Sequence, residues 1–446
     1  MLKFVQKLNL FAPITAAPLA YFRIAFGLIM VWEMGRYIDA GWIDRYYVKP
    51  TFFFSYYGFE WVKPLSESGM YAVFAVFGGL AFCIMIGFAY RLAMPLFTLV
   101  FSYIFLLDQT QYLNHFYLIV LLSFLMCFIP AHRVWSVDAW FFPRLATLPL
   151  RLWMLRLLQF QLFVVYGFGA LAKINPDWLQ GEPMRLWLAE STDFPVFGQF
   201  FTEEWMVYLF AYGGIVVDLI ALPLFCWRRT RWLGLGMLVS FHIVNARLFS
   251  IGIFPWLMLA TLPLFVPLAW WERVLAVPID LREPSLRVRQ LTLSLLGVYC
   301  LFQLVMPLRH FVLPGDVHWS EEGGYFAWHM KLRDKAGLAS FRVYDPISGE
   351  SWLIDLDDYL TSRQQNVMTD IPDMILQFTH HLASLWRTQG YPEVQVYGVV
   401  LVSLNGREYR PVVDTQVDLA TLSRSESTSN WILPLDIPLS QRRSDK

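Results

Sequence analysis

The hydrophobic residues of this chain are concentrated in runs of roughly 17–25 residues, the length that an α-helix needs to cross a bilayer. Of its 446 residues, 57% are hydrophobic and only 16% are charged, whereas soluble domains carry about 25% charged residues. We therefore predict an all-α polytopic membrane domain of about nine transmembrane helices. They lie at about 16–34, 70–90, 92–107, 115–130, 152–172, 206–226, 232–247, 249–268 and 291–307.

The remaining composition excludes several classes of protein. The first apolar run follows basic residues but is not followed by a small-residue cleavage site, so we interpret it as a retained membrane helix. All four cysteines lie inside apolar runs without a CxxC pair, so we expect neither a zinc site nor a disulfide framework. The net charge is zero, which argues against a nucleic-acid partner. The partner that the composition indicates is the lipid bilayer.

Lysine and arginine are distributed unevenly between the two sides of the predicted helices. Thirteen lie in connections on the side of the N-terminus: Lys3, Lys7, Arg91, Arg133, Arg144, Arg151, Arg228, Arg229, Arg231, Arg273, Arg282, Arg287 and Arg289. Seven lie on the other side: Arg36, Arg45, Lys49, Lys63, Lys173, Arg185 and Arg247. Because cytoplasmic loops carry the excess, we predict a cytoplasmic N-terminus. An odd number of helices then places the chain after about residue 308 outside.

The chain changes character after residue 307, so we predict a transmembrane domain over 1–307 and a small extramembrane α+β domain over 308–446. The segment "ASFRVYDPISGESWLIDL" is typical of two strands around a glycine-containing turn. In "EVQVYGVVLVSLNGREYRPVVD", Asn405-Gly406 is a strong hairpin signal. Between them, "PDMILQFTHHLASLWRTQG" has helical spacing and ends at Gly390.

Polar side chains gather at the predicted outer ends of four helices. They are Asn114 and His115, Lys173, His242 and Asn245, and Arg309 and His310. Each alone has a structural explanation, since lysines at helix ends commonly extend to the lipid headgroups and a histidine caps a turn or sits satisfied in a core. Their convergence favours a functional pocket, because polar groups in membrane proteins mark sites more often than elsewhere.

Lys173 ends an apolar helix on which Gln159, Tyr166 and Lys173 are spaced seven apart and so lie along one stripe. Small residues near this end allow close helix packing, so we expect the lysine to be enclosed by protein. Burial disfavours its ammonium form, and a neutral amine near pH 7 can act as a base. Arg23 and Asp218 lie deeper in the first and sixth helices, where a structural role is the expected one.

No Walker loop, Rossmann fingerprint, H-E-x-x-H or haem motif is present. The residues alone leave two classes open, a membrane enzyme and a carrier, with an outward pocket of amine, imidazole, amide and aromatic groups. The absence of metal and nucleotide motifs favours a lipophilic cofactor that arrives from the bilayer.

At these positions the sequence resembles the vitamin K-dependent γ-glutamyl carboxylases and their bacterial relatives, which share the HTTM domain. The resemblance runs in family order from about residue 15 to 435. Its matching stretches are "YRLAMPLFTLVFSYIFLLDQTQYLNH", "HRVWSVDAW", "FGALAKINPDWLQG", "GGIVVDLI", "FHIVNARLFSIGIF", "RHFVLPGD" and "VSLNGR".

The resemblance implies a reaction in which a base deprotonates vitamin K hydroquinone, which then reacts with O2 and ends as its epoxide. This chemistry removes a γ-proton from a glutamate, to which CO2 adds. It also implies a short bacterial homologue in an inner membrane and a glutamate-containing peptide or protein as partner. Two alternatives remain, a quinol oxygenase that forms epoxide without carboxylation, and a non-catalytic transporter or scaffold on the same fold.

The resemblance also assigns residues. The base is Lys173, with auxiliary roles for Asn114 and His115. The quinone-pocket positions are His242, Asn245, Phe254 and Met330, and the substrate-binding positions are Trp328, Arg333, Lys335 and His310. Arg333 and Lys335 stand where the animal enzymes have a histidine and an arginine. Both remain cations, but Arg and Lys are not interchangeable at a bidentate site. We also expect no counterpart of the several hundred further residues that partly grip the substrate propeptide in animal relatives.

Overall fold

The computed structural model describes residues 9–277, 283–426 and 428–437, and helices make up most of them before Lys335. The longer helices are Ala17–Asp39, Glu67–Ile86, Tyr90–Leu107, Asn114–Cys127, Leu152–Ala172, Glu204–Val216, Arg231–Leu248, Phe254–Thr261 and Leu286–Val305. Shorter ones are Val137–Phe141, Pro176–Leu179, Met184–Ala189, Leu222–Cys226 and Leu268–Val274. A helix therefore occupies each of the nine positions predicted from the apolar runs.

Not all of these helices are long and apolar enough to cross a membrane. Within the described residues six qualify, Ala17–Asp39, Glu67–Ile86, Tyr90–Leu107, Leu152–Ala172, Glu204–Cys226 and Leu286–Phe311, so nine spans are not confirmed. A further pair, Phe254–Phe265 and Leu268–Val274, is bent by 88°. The Asn114–Cys127 helix is about 21 Å long at 1.5 Å per residue, which is less than the roughly 30 Å of a hydrocarbon core.

Arg23, buried in the first helix, has the structural role that its position predicted. Its guanidinium donates hydrogen bonds to the carbonyls of Ile84, Met85, Ala131 and Trp135. Ile84 and Met85 belong to the last turn of the Glu67–Ile86 helix, whose carbonyls have no partner within the helix. The arginine therefore satisfies a helix end.

From Lys335 onward the chain forms a second layer, which we call the C-terminal domain. Its antiparallel sheet has the order Ser351–Leu353, Lys335–Tyr344, Gln395–Leu404, Arg410–Pro411. The predicted turn at Asn405-Gly406 is confirmed, since both residues have positive φ, 53° and 73°. The predicted helix is Pro372–Thr388, preceded by Ser362–Asp370. Alternate residues of Gln395–Leu404 are buried, as a sheet with one covered face requires.

The C-terminal domain contacts residues that follow the C-terminal ends of two membrane helices. Gln364 donates to the carboxylate of Asp108, which follows the Tyr90–Leu107 helix, at 3.0 Å. Arg407 reaches Asp177, beyond the Leu152–Ala172 helix, at 2.6 Å. At the other end, Pro13–Ile14 and Leu150–Arg151 pair as a two-stranded ribbon. The helices that follow this ribbon therefore start on one face and run toward the C-terminal domain.

Candidate active site

A cavity of about 960 Å³ lies where the membrane helices meet the C-terminal domain. Seven residues that the sequence singled out line it: Asn114, His115, Lys173, His242, Asn245, Phe254 and Met330. They come from four helices and from the segment before the C-terminal sheet. The structure therefore brings together side chains that lie far apart in the sequence.

Lys173 is buried at the end of the Leu152–Ala172 helix, with 7% of its surface exposed. Its Nζ donates to the carbonyl of Gly169 at 3.0 Å and to Oδ2 of Asp218 at 2.7 Å, and it lies 5.7 Å from the ring centre of Trp178. The lysine is therefore enclosed by protein, as its small-residue neighbours predicted, rather than extended toward lipid headgroups.

The turn after Lys173 has a capping function. Asn175 accepts a hydrogen bond from the backbone N–H of Trp178 at 2.9 Å and so caps the short Pro176–Leu179 helix, as asparagine commonly does at a helix start. Proline at the first helical position strengthens this start. The turn packs Trp178 beside the amine of Lys173 and carries Asp177 to the C-terminal domain.

Asp218, for which the sequence predicts a structural role, is a candidate site residue that the sequence did not indicate, because it pairs with Lys173 at the cavity. It lines the cavity and lies in a single π-helical turn, Val217–Ala221, within the Glu204–Cys226 helix. Such turns occur frequently at functional sites. Gly214 lies one turn earlier, where a Cβ would make only an ordinary contact of 3.8 Å with Cε of Lys173. The available signal was the aspartate itself, a carboxylate in the middle of an apolar run.

Two histidines line the cavity with different neighbours. The Nε2 atom of His242 lies 2.7 Å from the hydroxyl of Tyr166, while its buried Nδ1 has no hydrogen-bond partner in the described part of the chain. The ring of His115 stacks on Phe254 with the centres 5.8 Å apart. The stripe predicted on the helix thus continues as Lys173 and Tyr166, with His242 adjoining them.

Asn114 and Met330 join the cavity to the segment before the C-terminal sheet. Asn114 donates to the carbonyl of His329 at 3.0 Å and accepts from the hydroxyl of Tyr112 at 3.1 Å. Met330 packs against the Lys173 helix so closely that a Cβ on Gly169 would lie 2.9 Å from its Cε. A side chain at position 169 would therefore require the terminal methyl of Met330 to shift.

Four predicted site residues are not among those that line the cavity. Trp328 is fully buried and packs on Tyr117, with ring centres 5.1 Å apart. His310 has its Nδ1 atom 2.9 Å from the carbonyl oxygen of Pro307. Arg333 and Lys335 are the other two. Their substrate-binding roles remain predictions.

Arg333 and Lys335 both bind the carboxylate of Glu321. Arg333 donates to both of its oxygens, and Nζ of Lys335 lies 2.8 Å from Oε1. Lys335 also donates to the carbonyls of Trp319 and Asp370, at 2.9 and 3.0 Å. A second carboxylate would have to displace Glu321 to reach this pair.

The fold and the cavity define a polytopic membrane protein with a buried amine–carboxylate pair facing a largely apolar pocket. Comparison with sequence models of known families is consistent with this class. The HTTM domain matches residues 11–270, and the vitamin K-dependent gamma-carboxylase, lumenal domain, matches residues 288–437. A comparison with solved structures found no match.

Because the HTTM model covers more than half of the chain, and a carboxylase domain follows it in order, the chain belongs to the vitamin K-dependent carboxylase family. It is a multi-pass membrane protein with a small sheet-containing C-terminal region.

Proposed function

We propose that this protein is a vitamin K hydroquinone-dependent γ-glutamyl carboxylase coupled to quinone epoxidation, with Lys173 as the base that deprotonates the hydroquinone. The observation that supports the proposal most directly is the environment of the Lys173 amine. The amine is buried, it lines the cavity, and it donates to only two acceptors among the described residues, Gly169 and Asp218. An ammonium group has three N–H donors, so one position of Nζ is left for a ligand.

The cavity fits a hydroquinone. Pockets for ligands of this size measure about 300–1,000 Å³ and are mostly apolar with a few polar groups. Here the unpartnered Nδ1 of His242 supplies a hydrogen-bonding atom, and Phe254 and Met330 supply apolar surface. We propose that these residues hold the ring with Asn245, and that Asn114 and His115 orient its oxygens beside Lys173. When bound, the hydroquinone and O2 would supply the strong base that removal of a glutamate γ-proton requires, with oxidation of the hydroquinone by O2 as the source of energy.

Lys173 and Asp218 act in this proposal as one proton-accepting unit. Nζ of Lys173 donates to Oδ2 of Asp218, so a proton on this nitrogen can pass to the carboxylate. In the neutral amine the two N–H bonds point to Gly169 and Asp218, and the lone pair faces the cavity. This lone pair would take the hydroxyl proton of the hydroquinone while the proton shared with Asp218 moves to Oδ2. Nζ of Lys173 is therefore the atom that contacts the hydroquinone, and Asp218 is the final acceptor of the proton. The relay starts from the neutral resting amine that the sequence predicts, which stays a prediction.

The deciding experiment measures both products of the purified protein in lipid nanodiscs. It is incubated with vitamin K hydroquinone, O2, isotopically labelled bicarbonate and a glutamyl peptide. Mass spectrometry should find label in the peptide and epoxide in the lipid fraction. Epoxide without labelled peptide would support the quinol oxygenase alternative, which the engagement of Arg333 and Lys335 by Glu321 favours. Neither product would support the transporter or scaffold.

We also propose a bacterial inner-membrane location, with the N-terminus cytoplasmic and the C-terminal domain external. The thirteen-to-seven Lys/Arg asymmetry supports this orientation, and so does the course of Ala17–Asp39 and Leu152–Ala172 from the ribbon toward the C-terminal domain. A reporter fused after residue 446 should be active only when it is external. Activity of a cytoplasm-dependent reporter at that point would contradict the orientation.

A further inference from the structure

The positive and negative charges of the side chains that line the cavity do not sum to zero. Two pairs are neutral overall, Glu33 with Arg36 at 2.6 Å and Asp218 with Lys173 at 2.7 Å. Two cations remain in the lining, Arg363 and Lys331, and neither has an ion pair among the described residues. The cavity therefore carries a net positive charge, which attracts an anionic ligand.

The two remaining cations differ in how firmly they are held. Arg363 donates to the carbonyl of Thr110 at 3.1 Å and lies 5.6 Å from the ring centre of Tyr46. Lys331 makes no hydrogen bond to any residue that the structure describes. Its Nζ lies 4.9 Å from the ring centre of Trp187 and 5.8 Å from that of Phe249. Burial lowers its pKa, although Asp334 and Glu190 act in the opposite direction. An ammonium that lines the cavity with three open donor positions can bind a carboxylate.

The residue before Lys331 packs against the helix that carries the proposed base. Met330, its neighbour in the chain, packs on Gly169, whose carbonyl accepts the hydrogen bond from Lys173. Lys331 itself has φ of 47°, and Trp328 in the same segment has φ of 60°. Such left-handed conformations are costly for residues other than glycine and are concentrated at functional sites. The segment is therefore held in a conformation that presents Lys331 to the cavity.

We propose that Lys331 binds the γ-carboxylate of the glutamyl substrate inside the cavity, and that Arg333 and Lys335 shape the adjoining wall by holding Glu321. The inference rests on the proposed carboxylase function and names its substrate-binding residue. The rings of Trp187 and Phe249 hold the ammonium at the cavity wall, where an incoming carboxylate can reach it.

The test compares two peptides that differ only in one residue, glutamate against glutamine, for binding to the full-length protein in nanodiscs. Wild-type protein should bind the glutamate peptide at least tenfold more tightly. Lys331→Met keeps the aliphatic stem on Trp187 but removes the charge, and it should abolish this preference while leaving the glutamine peptide unchanged. Lys331→Arg should retain most of it. Arg363→Met is the matched control, since it removes the other unpaired cavity cation, and should keep the preference.

Several results would overturn the inference: an unchanged preference in Lys331→Met, a loss of preference in Arg363→Met instead, or a Lys331→Met variant in which only the KM for bicarbonate rises. The last result would assign Lys331 to the CO2 source rather than to glutamate. Failure of the carboxylase proposal is seen separately, as absence of labelled peptide from wild-type protein that still binds the glutamate peptide. A melting-temperature comparison verifies that each variant is folded.

Discussion

Lys173 and Lys335 are both buried lysines that bind a carboxylate, Asp218 at 2.7 Å in the membrane region and Glu321 at 2.8 Å at the edge of the C-terminal domain. They differ in what surrounds the rest of the ammonium group. Lys335 has three acceptors, Glu321 and the carbonyls of Trp319 and Asp370. Lys173 has two acceptors in the described part of the chain and lines the cavity.

The comparison teaches that burial and a counter-ion do not by themselves make a lysine reactive. An ammonium with three filled donor positions is a structural cross-link, because any proton transfer would break an existing hydrogen bond. A lysine nitrogen with one open position beside a cavity can, as the neutral amine, accept a proton from a ligand. We therefore expect chemistry at Lys173 and stability from Lys335.

The largest expected effect comes from Lys173→Arg. Guanidinium does not give up its proton in proteins, so epoxide formation should fall by about 10²–10⁴-fold, the range for loss of a general base. Lys335→Arg, the matched variant at the saturated lysine, should keep hydroquinone oxidation and lose stability instead. Epoxide measured by chromatography, with melting temperatures for both variants, checks this. Wild-type activity in Lys173→Arg would end the base hypothesis.

The next effect is expected from Asp218→Asn. An amide cannot take the proton that Lys173 passes on, so the rate of hydroquinone oxidation should fall by about 10²-fold, with little change in KM for the hydroquinone. Glu321→Gln is the counterpart at the other lysine and should leave this rate nearly unchanged. If Asp218→Asn oxidised hydroquinone as fast as wild type, Lys173 would act as a neutral base without a relay.

A third buried ion pair extends the comparison to the contact between the two regions. Arg407 donates to both carboxylate oxygens of Asp177, at 2.6 and 2.8 Å, and Asn405 adds a bond at 2.7 Å. Burial alone would raise the pKa of Asp177, but the bonds from Arg407 and Asn405 outweigh it, and the pKa lies below its usual 3.8. Asp177→Asn should lower the free energy of unfolding by about 1–3 kcal/mol, the cost of leaving partly buried polar partners unsatisfied.

The acid dependence of this pair has a definite sign. Because the folded pKa of Asp177 is depressed, its contribution to stability is fully present above the unfolded value of 3.8 and is lost as pH falls through the lower folded value. Acid unfolding curves of wild type and Asp177→Asn should therefore converge below about pH 4. Curves that stay parallel over that range would show that Asp177 is not charged in the folded protein.

The smallest effects are expected from alanine substitutions at two glycines beside Lys173, which should differ in their effect on epoxide formation. A Cβ on Gly214 would lie 3.8 Å from Cε of Lys173, an ordinary contact, whereas one on Gly169 would lie 2.9 Å from Met330. Gly214→Ala should therefore change stability and epoxide formation little, within about 0.5 kcal/mol. Gly169→Ala should displace Met330 and lower epoxide formation severalfold. Equal activities of the two variants would mean that Met330 does not shape the pocket.

Much of the architecture follows from local patterns in the sequence. The apolar runs determined where helices form, because backbone groups in hydrocarbon must hydrogen-bond within the segment. The alternating segments and Asn405-Gly406 likewise determined the strands and the hairpin of the C-terminal sheet. The number of membrane spans could not be predicted from these patterns. A short helix such as Asn114–Cys127 and the bend of 88° after Phe265 depend on packing against neighbouring helices.

In the candidate site, too, the sequence indicated some features and the tertiary structure decided others. The sequence alone indicated Lys173, His115 and His242, because polar side chains at the ends of apolar helices are unusual wherever they occur. Only the tertiary structure decided the partners: Asp218 for Lys173, and Glu321 for Arg333 and Lys335. Ion pairing depends on distances of a few ångströms between segments far apart in the chain. No local pattern of residues encodes those distances.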